Sequence, residues 1–257
     1  MPSLTAALRA EYRRLFATCV IRPNRARQVE AIIAAIRQNR SRYDAVAEAT
    51  GVPWHAIGAL HNMESSLDFG RHLHNGDPLT ARTVRVPAGR PRTGNPPFTW
   101  EESAIDALTL KRLHLWTDWS IAGTLYKLES YNGWGYRNHH PEVLSPYLWS
   151  FSNHYTRGKY VRDGQWSPVA VSSQCGAAVL LRRMAELGVI EFAGEPAGDE
   201  PLIRYAPEVE TEYARELQRF LNKMPGVFLR EDGRAGRRTS DAFRRVTGYY
   251  LQGDPRV

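Results

Sequence analysis

Two carboxylates in the stretch "LHNMESSLDFGRHLHNGDPLT" stand where they could do chemistry. On a helix opening near Pro53, Glu64 shares a face with Leu60 and Ile57, one and two turns earlier. A carboxyl on an apolar stripe is partly desolvated and keeps its proton to higher pH. That is what a general acid needs to protonate a leaving oxygen. The other reading is a helix end that frays and leaves Glu64 an exposed acid; pattern alone does not choose. Asp77 sits beside Asn75-Gly76 and before Pro78. An aspartate there commonly closes a turn. It could also be a second carboxylate across a cleft, steadying an oxocarbenium-like transition state or activating water.

A second stretch, "YNGWGYR", offers binding rather than acid chemistry. Tyr131, Trp134 and Tyr136 carry flat apolar faces for pyranose rings, and Asn132 and Arg137 carry donors. Gly133 and Gly135 would let backbone approach a ligand closely. The alternative is a helix C-terminus whose aromatics turn into the core. Tyr147, Trp149, Asn153 and Tyr155 could line the same groove or pack beneath it. Glu129 reads as a supporting or solvated acid.

These groups must be positioned by helices. Leu8, Tyr12, Leu15 and Phe16 form one helical stripe, and Val29, Ile32, Ile33 and Ile36 another. "SRYDAVAEATG" reads as a third helix with Ser41 as N-cap and Gly51 as C-cap. The helix carrying Glu64 is expected from Pro53 to about Leu67. Residues 68–97 are turn-rich, with an alternating run from Thr80 to Val86 expected to form a strand or hairpin arm. Thr99 and Glu102 predict a capping box. Further helices are expected in "TDWSIAGTLYKLES" and "SSQCGAAVLLRRMAELGVI", and Asp163-Gly164 signals a hairpin. The expectation is a mainly α fold, with a small turn-rich or β lobe near 70–95. Residues 1–191 form the main domain, 192–207 a linker and 208–257 a short helical module.

The chain has 257 residues, enough for one large domain or a medium one plus a small one. Its net charge of +7 favours an anionic partner such as nucleic acid, a membrane surface or a cell wall. No basic block interleaved with aromatics singles out one polyanion. Cys19 and Cys175 are too few for a disulfide framework and read as buried thiols. The eight histidines lack zinc spacing, with His72 and His74 near Glu64 a remote metal option. No metal or cofactor is expected. The N-terminal residues, interrupted by Arg9, Glu11, Arg13 and Arg14, have neither a signal-peptide core nor a membrane span.

The ordered series "HNMESSLDF", "HNGDPLT", "VPAGRP", "YNGWGYR" and "GKYVRDGQW" resembles bacterial and prophage endolysin-type proteins of the lysozyme superfamily. That superfamily includes goose-type lysozymes and soluble lytic transglycosylases. The resemblance covers most of residues 50–185. It implies an α+β, lysozyme-like fold with Glu64 as the catalytic acid and Tyr131 and Asn132 lining the cleft. Asp77 has no counterpart in it. The "GLMQ"-type motif of the transglycosylases is absent after "ESS", so their reaction does not carry over. The implied activity is hydrolysis of the β-1,4 glycan of peptidoglycan. Alternatives are a wall-binding protein without catalysis, and a transglycosylase or chitinase-type enzyme on a related glycan. "LQRFLNKMPGVFLREDGRAGRRTSDAFRRVTG" resembles a small peptidoglycan-binding fold, with Thr239 expected to cap the helix bearing Ala242, Phe243 and Val246. The implied partner is the glycan strand, with neither nucleic acid nor membrane insertion, bound by a monomer. The implied biology is accumulation in the cytoplasm and action on the wall after release.

Overall fold

The computed structural model describes residues 2–162, 164–194 and 203–256. The chain divides into two compact units, Met1–Glu195 and Pro196–Val257. It is mainly helical. The first unit contains α1 (Ala6–Ala17), α2 (Ala26–Gln38), α3 (Arg40–Thr50), α4 (Trp54–Ser65), α5 (Trp100–Leu110) and α6 (Ile121–Asn132). It continues with α7 (Gly135–His139), α8 (Pro146–Trp149), strands β1 (Lys159–Arg162) and β2 (Gln165–Ser167), and α9 (Ala177–Glu186). The second unit holds α10 (Glu212–Leu221) and α11 (Arg237–Thr247).

Apolar periodicity builds these helices and decides what they bury. Tyr12, Leu15 and Phe16 of α1, and Val29, Ile33 and Ile36 of α2, enter one core that also takes Tyr43, Trp100 and Leu125. Each large side chain so buried contributes about 1.5–3 kcal/mol against chain entropy. Within this core α1 packs on α6, α3 on α4 and α5, and α9 on α2, α4 and α8. Gly58 makes the α2–α4 approach possible, because a Cβ there would stand 2.8 Å from Cγ2 of Ile36. Caps bound the helices. Thr99 and Glu102 close the expected capping box on α5, and left-handed Gly51 ends α3. Asn39, not Ser41, occupies the N-cap position of α3, so that helix begins earlier than its serine suggested.

The strand expected at Thr80–Val86 does not form. The sheet of the first unit is instead β1–β2, an antiparallel pair that aligns Tyr160 with Trp166. Hydrogen bonding explains why. The Val84 and Arg85 N–H groups donate to the Asp77 carboxylate, Thr83 N–H donates to Arg90 O, and Gly89 N–H donates to Thr83 O. Val84 and Val86, the apolar half of the alternation, point to solvent. Residues 68–97 are thus a turn-built lobe whose donors are spent on side chains and tight turns. Of the Asp163-Gly164 pair, Asp163 lies outside the described residues, while Gly164 takes a left-handed φ between β1 and β2. Much of the linker expected at 192–207 also lies outside them.

The second unit has its own small cores, around Ala214, Ala235 and Leu251 and around Leu221, Val227 and Ala242. Gln218 organises it, donating to Asp232 Oδ1, Arg234 O and Thr239 Oγ1 and accepting from Gly233 N–H. Thr239 therefore lies inside α11, bonded to the loop before it, and Gly236 takes the N-cap position.

Candidate active site

Glu64 occupies the last turn of α4, where the backbone is held from three sides. The helix stops because Ser66 and Leu67 both adopt left-handed φ, 54° and 62°, and return their N–H groups to Asn62 O and His61 O. Two adjacent non-glycine residues in that region store backbone strain. The side chain of Gln174 donates to Met63 O at 2.8 Å, and Asn62 Nδ2 donates to Cys175 O. On the other side Gly76, with φ of 73°, lies so close that a Cβ would stand 3.2 Å from the Glu64 carbonyl oxygen.

As a residue Glu64 is half-buried. Its hydrogen bond comes from the Tyr147 hydroxyl, which donates to Oε1 at 2.8 Å. Burial pushes the Glu64 carboxyl up to about 7, although the Tyr147 bond and the positive charge of Lys111 pull it down. Tyr131 completes the surround. Its hydroxyl donates to Leu73 O at 3.0 Å, tying α6 to the lobe, and Lys111 Nζ donates to its carbonyl at 3.3 Å. The same ammonium stands 5.0 Å from the Tyr131 ring centroid. Burial and the nearby Glu64 charge hold both phenols well above their ordinary values, so at neutral pH they remain donors. A carboxyl raised to about 7, two neutral phenols and one ammonium thus converge from α4, α6, α8 and the end of α5. Such a set can deliver a proton and then tolerate the carboxylate left behind.

Asp77 has a different occupation. Its Oδ2 accepts from the N–H groups of Val84 and Arg85, and its Oδ1 accepts from the Arg85 guanidinium at 2.6 Å. Burial works to raise its carboxyl, but those three donors overcome it and hold the group at about 2. It clasps the lobe, which is the turn-closing reading of its position.

Of the "YNGWGYR" residues, only Tyr131 joins Glu64. Trp134 packs in the core, 5.2 Å from the Tyr126 ring. Arg137 donates to Glu129 Oε2 at 2.8 Å and to Glu11 Oε1 at 3.0 Å, over the face of Tyr12. Glu129 is neither solvated nor near Glu64's hydrogen bonds: it is buried and also accepts from the Tyr12 hydroxyl at 2.5 Å. Asn132 and Tyr136 face a separate cleft at the β1–β2 hairpin. Of Tyr147, Trp149, Asn153 and Tyr155, Tyr147 alone hydrogen-bonds Glu64; Trp149 is core, Asn153 accepts from Val20 N–H, and Tyr155 donates to Gly158 O. Lys111 and Gln174 carry no sequence signal, because each reaches the site from a distant segment without a local pattern.

Among the described residues no group of three or more His, Cys, Asp or Glu side chains could hold a metal. His72 is engaged by Ser103 Oγ and Ala81 O, and His74 by Asp106. Cys19 and Cys175 are free and buried. No helix among the described residues is long and apolar enough to cross a membrane.

Compared with known proteins, the chain matches no family model, no curated protein and no solved structure.

Proposed function

We propose that this protein is a glycoside hydrolase that cleaves the β-1,4 glycan backbone of peptidoglycan, with Glu64 as the general acid. One observation carries the reading: a carboxyl raised to about 7 at a strained helix end, with a phenol hydrogen-bonded to it. In the reaction Glu64 gives its proton to the glycosidic oxygen as the C1–O bond breaks. Charge then develops on the ring, and water adds at C1 while its proton passes to the carboxylate. Lys111 and Tyr147 stabilise the carboxylate between the two steps. Asp77, with its oxygens occupied by Val84 and Arg85, acts in this scheme by fixing the lobe.

The resemblance of the motifs supplies the choice of peptidoglycan, and the positive charge supports it. In the second unit the exposed Arg234, Arg237 and Arg238 offer positive charge to an anionic polymer. The reading implies a protein acting on the wall after leaving the cytoplasm. Mass spectrometry of products from purified sacculi tests it. Hydrolysis predicts new reducing ends carrying one water; anhydro ends mean transglycosylation, and no released glycan defeats the proposal.

A further inference from the structure

A cleft of about 470 Å³ opens between the corner joining α6 to α7 and the β1–β2 hairpin. Asn132, Gly135, Tyr136, Tyr160 and Arg162 line it. The wall behind it is a cluster of mutually packed rings. Tyr160 N–H donates to the Tyr136 hydroxyl at 3.3 Å, and the two rings meet edge to face at 5.4 Å. Trp166 backs both rings and stacks on His140 at 3.5 Å, nearly parallel at 8°. Gly135 lies at the floor beside this wall, where a Cβ would make an ordinary contact with Cε2 of Tyr160 at 3.5 Å. On the rim, Asn132 and Arg162 are exposed donors.

We infer that this cleft binds a sugar ring of the glycan, as a subsite separate from the Glu64 carboxyl. The volume lies in the range of small-molecule sites, and the lining pairs aromatic carbon with a few convergent polar groups. An N-acetylhexosamine matches that pairing. Its axial C–H face stacks on a tyrosine ring, and its hydroxyls and acetamide offer acceptors to an amide and a guanidinium at the edge. A wall fixed before binding avoids the entropy of ordering it. Asn132 directly follows Tyr131, so the last turn of α6 serves both the Glu64 site and this cleft. The inference rests on the glycan reading above.

Isothermal titration with chitotetraose as the probe tests it. The full chain carrying Glu64→Gln is used, so that the probe survives whatever the role of Glu64. Gly135→Met should fill the cleft and weaken binding at least tenfold, with the circular dichroism unchanged. Asn132→Ala combined with Arg162→Ala should weaken it severalfold and serves where Gly135→Met does not fold. Unchanged affinity in the folded variants overturns the subsite, as does a wild-type cleft that binds no probe at millimolar concentration. If wild-type protein still releases hydrolysis products from sacculi, that failure leaves the glycosidase proposal standing; if it releases none, the broader reading has failed independently.

Discussion

Tyr147 donates to Oε1 of Glu64 at 2.8 Å, joining a helix end to a residue 83 positions later in the chain. The bond stabilises the charged carboxylate more than the acid, so it lowers a pKa that burial raises. The two effects together leave the carboxyl at about 7 rather than higher. A general acid at that value is about half protonated at neutral pH, near the optimum for proton transfer.

Removing the phenol should therefore move the acid upward. Tyr147→Phe is expected to shift the alkaline limb of the kcat/KM profile to higher pH, and Lys111→Met to shift it in the same direction. A pH–rate profile on soluble glycan checks both. A downward shift in either would mean that the Glu64 environment is misassigned.

Glu64 should also cost stability above neutral pH. Its folded pKa lies above the unfolded value of 4.5, so the fold binds the proton more tightly. The stabilisation is complete below pH 4.5 and is lost as pH rises through about 7. Glu64→Gln should then stabilise the protein at pH 8 by about 1–3 kcal/mol and far less at pH 5. Thermal melts of both proteins at the two pH values measure the difference. Equal shifts at both would exclude the ionisation as its cause.

Asp77 gives the opposite sign. Its carboxyl is depressed to about 2 by the Val84, Arg85 and guanidinium donors, so its contribution is present above pH 4 and lost as pH falls through 2. Asp77→Ala removes the acceptor for the Val84 and Arg85 N–H groups and for the Arg85 guanidinium, and should cost about 1–3 kcal/mol. Urea titration measures that loss. Among folded molecules of the conservative Asp77→Asn variant, glycan cleavage should fall by less than tenfold; a thousandfold loss would return Asp77 to the chemistry.

Much of the scaffold was legible because its signals are local. The stripe of Leu15 and Phe16, the Thr99–Glu102 box and Gly51 each act within a turn or two of helix. The register of Glu64 with Ile57 and Leu60 was legible for the same reason, but that pattern fits a frayed, exposed helix end equally well. What escaped depends on distant partners. Thr80–Val86 alternates like a strand, but Asp77 captures its N–H groups. Arg137 looks like a ligand donor until Glu129 and Glu11 meet it from α6 and α1. Tyr147 and Lys111 flank Glu64 only because α8 and the end of α5 converge there.

The Arg137–Glu129 pair makes a stability prediction of its own. Glu129 is 3% exposed, and Arg137 and Tyr12 both bond its Oε2. Arg137→Met leaves an uncompensated buried charge and should cost about 3–5 kcal/mol. Adding Glu129→Leu should recover most of that. A double-mutant cycle by urea denaturation reads the coupling; additive losses would show that the pair does not act as a unit.

The most direct measurement compares wild type and Glu64→Gln on the same purified sacculi. Glutamine keeps the shape and a hydrogen-bonding oxygen for Tyr147 but has no proton to give. The rate of glycan release should fall at least about a thousandfold, near 4 kcal/mol of transition-state stabilisation, while the variant still binds the wall. A Gln variant that clears sacculi as fast as wild type would show that Glu64 is not the acid.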